Sequence, residues 1–207
     1  MTTSREDLHP CPIGGVTWWL RTPTVFDPAR MRRVLTRQGV RRPTLTEMRV
    51  ASLAGIAAIA EAVGDTAEGE RQSALLEEWY EIIVPIDEDD VDDPDPVSRS
   101  AELERRRAEQ LDRQRALMAD VIAIEANLER HHPPYRELVA DRQYWDEVSQ
   151  IEVVRMLLLR KDDELLARDP DGMLTQATYA SIPEGHRGLL AKFAMALLAP
   201  DKATEKN

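Results

Sequence analysis

Cysteine is nearly absent from this chain: the single one, Cys11, has no partner for an internal disulfide. That excludes the disulfide-stapled secreted class and places the protein, by expectation, in the reducing cytoplasm. Aromatic residues are scarce as well, with two Phe, four Tyr and four Trp, while Ala, Leu, Ile, Val and Met supply most of the apolar mass. Such a composition suits packed helices better than sheets. The longest nearly apolar stretch, 50–60, is about half of what a bilayer-spanning helix requires. Its N-terminus, MTTSREDLHPCPIGG, has charges and two prolines where a signal peptide would carry an apolar core, so export by that route is not expected.

Signatures of chemistry are missing too. Gly14-Gly15 marks a turn, and no glycine-rich phosphate loop follows a strand. No Gly-x-Ser-x-Gly elbow occurs, and Cys11 falls in a stretch expected to be mobile, with no fixed base beside it. Glu129 and His132 have the Glu-x-x-His spacing of di-iron bundles, yet such centres need a second copy of the motif and two further glutamates. Placed at a helix end before prolines, His131 and His132 read instead as favourable partners of the helix dipole. The acidic run at 87–96 lacks the central Gly and closing Glu of a calcium loop. No catalytic residue, metal ligand or cofactor is therefore assigned, and the chain is read as a non-enzyme. A helical metal enzyme is the contrasting class.

What is present is charge, unevenly spread. Of a net charge of −11 over 207 residues, the stretch 21–49 holds eight arginines against Asp27 and Glu47, whereas 61–95 holds fourteen carboxylates against Arg71. Asp87 to Pro96, DEDDVDDPDP, combines seven carboxylates with two prolines, a self-repelling composition that reads as a linker. The expected organisation is an N-terminal unit over 1–86, an acidic linker over 87–97, a C-terminal helical unit over 98–199 and a disordered tail over 200–207.

Within that frame the fold class is mainly α, built of helical bundle units with a small N-terminal β element and a long helical hairpin in the C-terminal half. Gly14 to Leu20 favours a strand, paired with 81–86 or with an edge on another protein. Asp27-Pro28 starts a helix that Gly39 stops, Thr44 or Thr46 starts a second that ends at Gly64, and a third spans about 68–83. A long helix from Ser98 or Ser100 to about Arg130 carries a seam of Leu117, Val121, Ile124 and Leu128. Pro133 and Pro134 break it, and a helix over 135–161 is expected to fold back with Leu138, Trp145, Val148 and Ile151 against that seam.

With no reactive site to assign, function is expected at a surface. Trp18 and Trp19 are adjacent in a strand and must face opposite sides, so one is left to anchor a partner. Arg30, Arg32, Arg33 and Arg37 form a basic helix suited to an acidic protein partner or, as an alternative, to the phosphates of nucleic acid.

Two stretches also resemble a known family. LRTPTVFDPARMRRVLTRQG, residues 20–39, with its Pro-Thr-Val-x-Asp lead into an arginine-rich helix, and YRELVADRQYWDEVSQIEVVRMLLL, residues 135–159, resemble bacteriophage tail assembly chaperones. The resemblance implies a non-virion assembly factor that binds a tape-measure protein or tail-tube subunits. A structural or adaptor component of a phage particle is the alternative of the same class.

Overall fold

A computed structural model describes residues 8–87, 91 and 95–198. The expected tail at 200–207 and most of the acidic run lie outside those residues. The fold is mainly α, with seven helices and one four-stranded antiparallel sheet among the described residues.

Chain order does not set the compact units. One unit comprises residues 1–41 together with 143–207, and the other comprises 42–142. The division expected at 87–97 is thereby corrected. The first unit is closed by a sheet whose strands lie at opposite ends of the chain, a pairing that no composition break announces. Val91, inside the expected solvated linker, is buried.

In the first unit, β1 (Leu8–Ile13) and β2 (Val16–Arg21) form a hairpin. Gly14 and Gly15 turn it, with φ of 59° and 81°, the backbone that a two-residue primed turn demands and that glycine adopts without strain. β2 then pairs not with 81–86 but with β3 (Leu158–Lys161), which pairs with the short β4 (Glu164–Leu165). β3 replaces the last turn of the helix expected to reach 161. Leu158 keeps the helical apolar period, but the sheet captures its backbone. Cys11, expected in a mobile stretch, is a buried β1 residue.

The closing Ile13–Val16 pair fixes which β1 residues bond inward to β2. Counting in twos, these are Ile13, Cys11 and His9, so Pro10 and Pro12 direct their missing N–H toward the free edge.

Helix α1 (Asp27–Arg37) shows why Thr24 and Asp27 stand three apart. The Asp27 carboxylate accepts the Thr24 amide (2.6 Å) and hydroxyl (3.0 Å), and Arg21 grips both its oxygens at 2.7 and 2.8 Å. Gly39, at φ 71°, ends the helix as Val40 donates back to the Leu35 carbonyl at 3.0 Å. The core of this unit gathers Trp18 and Leu20 of β2, Met31 and Leu35 of α1, the apolar end of α5 (Pro133–Leu157), and Leu190 and Ala194 of α7 (Glu184–Leu198). The short helix α6 (Gln176–Ala180) leads into α7.

The second unit starts with α2 (Leu45–Val63), where Thr44 and Glu47 form the reciprocal capping box at 3.1 and 2.8 Å. Gly64 turns the chain in the left-handed region, Asp65 caps α3 (Thr66–Ile82), and the two helices pack as a hairpin. Contact is so close that a Cβ on Gly69 would lie 2.5 Å from that of Ala60. Helix α4 (Pro96–His131) joins them, and its Gln110 and Gln114 donate to the Ile82 carbonyl at the α3 terminus. The expected seam is present: Val121, Ile124 and Leu128 are buried and Leu117 packs beside them. Pro133 and Pro134 break α4 from α5 at His132 alone. Leu138 shares the α4 core, but Trp145 and Val148 belong to the core of the first unit. The expected Trp145 and Val148 contact with the seam is corrected, because α5 passes from one core to the other along its length.

Candidate functional site: the arginine helix and its cleft

Alternation in β2 separates the two tryptophans. Trp18 faces the core at 3% exposure and donates its indole N–H to Nδ1 of His186, which withdraws it from direct partner binding. Trp19 points to the other face and belongs to neither core. Opposite it stand the exposed Pro10 on one side and Arg160 on the other, with exposed Leu165 paired to Arg160 beyond.

The four arginines of α1 also divide. Arg30, Arg33 and Arg37 stand at i, i+3 and i+7 and line one wall of a cleft of ≈ 340 Å³, while Arg32 is exposed outside it. The opposite wall comes from α5 and from the loop at 169–173. On that wall the buried Arg155 guanidinium donates to both Glu152 oxygens (2.8 and 2.9 Å), to the Asp169 carboxylate (3.4 Å) and to the Leu174 carbonyl (2.8 Å). Gln38 adds a bond to Glu152 at 3.0 Å, tying α1 to α5. Glu152, Arg155 and Asp169 were not singled out from sequence. Their signal was an acid and a base three apart inside the apolar run IEVVRMLLL, where charges are tolerated only when paired.

The loop, Asp169-Pro-Asp-Gly172, is held by three guanidiniums: Arg30 on the Asp171 carbonyl, Arg168 on the Gly172 carbonyl and Arg155 on the Asp169 carboxylate. Burial, followed by the charges of Arg21 and Arg30, pushes Arg168 below its ordinary pKa, and its Nε has no hydrogen-bond partner. Positive charge thus crowds this end of the unit. Arg32, Arg33 and Arg37 have no acidic partner among the described residues. Just before them, Val25 and Phe26 stand 88% and 77% exposed.

The second unit has its own concave surface, a groove of ≈ 610 Å³ with apolar walls from Ile56, Ile59 and Val63, bordered by His131 and His132. Among the described residues no group of three or more His, Cys, Asp or Glu side chains is placed to hold a metal ion. No described helix is long and apolar enough to cross a membrane. Cys11 has its thiol pushed up by burial, which suppresses the nucleophilic thiolate.

No protein-family model matches the chain, and no curated protein or solved structure matches it either.

Proposed function

We propose that this protein is a non-enzymatic binding factor for a helical, acidic protein client, in the manner of the bacteriophage tail assembly chaperones that residues 20–39 and 135–159 resemble. The observation that carries the reading is the pairing of a solvent-exposed Val25-Phe26 step with unpartnered arginines on the helix it precedes. An amphipathic client helix would set an apolar residue on Phe26 while its carboxylates meet Arg32 and its neighbours. Supporting it, the two resembling stretches are far apart in sequence yet meet through the Gln38–Glu152 bond. The client that the resemblance implies is a tape-measure or tail-tube protein.

Co-expression with the tape-measure product of a neighbouring gene, followed by pull-down, tests the reading. Wild type captures the client, and the double variant Phe26→Ser, Arg32→Glu loses it with its circular dichroism and melting temperature nearly unchanged, since exposed charges contribute little to folding. Full capture by that folded variant would move the binding surface elsewhere. Retention of DNA that falls steeply with salt, in place of protein capture, would favour the nucleic-acid class.

A further inference from the structure

We infer that the cleft between α1 and the 169–173 loop is an oxyanion site, taking a phosphate or a dicarboxylate across Arg33 and Arg37. The inner part of the cleft is already saturated: Glu152 accepts from Arg155 and Gln38, and Asp169 accepts from Arg155 and the Met173 amide at 2.8 Å. Glu152 and Asp169 share the one Arg155 charge, so that with Asp171 the cleft sets three carboxylates against four guanidiniums and keeps a net charge of +1. Across the mouth, Arg30, Arg33 and Arg37 face a single further acid, the exposed Asp171. Arg30 spends its bond on a neutral carbonyl, that of Asp171, and Arg33 and Arg37 have no acidic partner among the described residues.

Two guanidiniums one helical turn apart can reach the same phosphate or pair of carboxylates and offer it several charge-assisted bonds. The site is also preorganised. Arg30 is fastened to the loop, the loop is fastened by Arg155 and Arg168, and α1 is fastened to α5 through Gln38. A ligand would therefore order few groups beyond Arg33 and Arg37, which keeps the entropic cost of binding low. Arg32, on the same helix but outside the cleft, has the same charge without this setting. The inference stands whether or not a protein client binds at Phe26. A client could supply the carboxylates, and a free phosphate or phosphoryl group could supply the same oxygens.

Calorimetric titration of the full chain with inorganic phosphate and with succinate, each against chloride at equal ionic strength, tests it. Saturable binding of either dianion above the chloride baseline is expected, the tighter of the two naming the source. Arg33→Gln and Arg37→Gln should each weaken it about ten-fold, as the loss of one charge-assisted pair does. Arg32→Gln should leave it unchanged, and Arg33→Lys should retain part of it, so that a folded, charge-conserving variant accompanies the deletions. Equal weakening by Arg32→Gln, or a response to both dianions no greater than to chloride, would overturn the site.

Discussion

The indole N–H of Trp18 donates to Nδ1 of His186 across 3.2 Å, with the two rings edge to face at 5.9 Å between centroids. His186 lies in the first turn of α7, so this bond ties the sheet to the C-terminal helix of the first unit. Replacing His186 with Leu leaves a nearly buried indole N–H without an acceptor, which costs about 1–3 kcal/mol. Urea unfolding, followed by circular dichroism, measures that loss. Stability equal to wild type would mean that water reaches the indole.

Asp27 supplies a pH dependence of known sign. Burial alone would push its carboxyl up, but the Arg21 guanidinium and the Thr24 amide hold it below the usual carboxylate range. A carboxylate whose folded pKa is depressed contributes stability above its unfolded value, about 3.9, and that contribution is lost as pH falls through the folded value. Asp27→Asn should therefore unfold more readily than wild type at pH 7, by about 1–3 kcal/mol, because a neutral amide replaces the charged partner of Arg21. The gap should narrow as pH drops below about 4. Parallel acid-unfolding curves of the two proteins, with a constant gap, would contradict this.

Tyr135 is fully buried at the start of α5 and its hydroxyl donates to Glu125 of α4 at 3.0 Å. Burial first, and the Glu125 charge second, push its phenol well above the ordinary tyrosine value. Tyr135→Phe should cost about 1.5 kcal/mol or more by removing a bond to a charged group. Tyr135→Ala should cost about 3–5 kcal/mol by leaving a cavity in the core of the second unit.

Gly69 reverses the usual sign of a helix substitution. Alanine in a helix interior ordinarily gains about 1 kcal/mol over glycine, but at Gly69 the new methyl would sit 2.5 Å from the Ala60 Cβ. Gly69→Ala should therefore destabilise, by about 1–3 kcal/mol for an overpacked contact. The double variant with Ala60→Gly should recover much of that loss in thermal melts.

These elements also show where the sequence was informative. In the first half of the chain helix starts and stops were legible because each is written within four residues, as in Thr44 with Glu47, Asp27 with Pro28, and the glycines at 39 and 64. The start expected at Ser98 or Ser100 lies instead at Pro96, capped by Asp95, whose carboxylate accepts the Ser98 amide. The strand pairing was not legible. β2 and β3 are separated by some 140 residues, and Leu158 continues the helical apolar period of α5 until the sheet claims it. The two segments of the first unit are joined by that pairing together with the Gln38–Glu152 and Trp18–His186 bonds. At the candidate site the arginines were visible from charge, and the facing of Trp18 and Trp19 from strand alternation. Their division, with Arg32 outside the cleft and Trp18 inside the core, depends on which side each backbone turns to its neighbours.

Pro10 and Pro12 have one more effect. With no N–H at Pro10 and Pro12, two of the three outward positions of β1, and with only two residues in β4 at the opposite edge, this sheet is a poor template for further strands. Crowding at high concentration would then favour association through side-chain faces, which dilution or salt reverses, over a growing ladder that ripens into fibres.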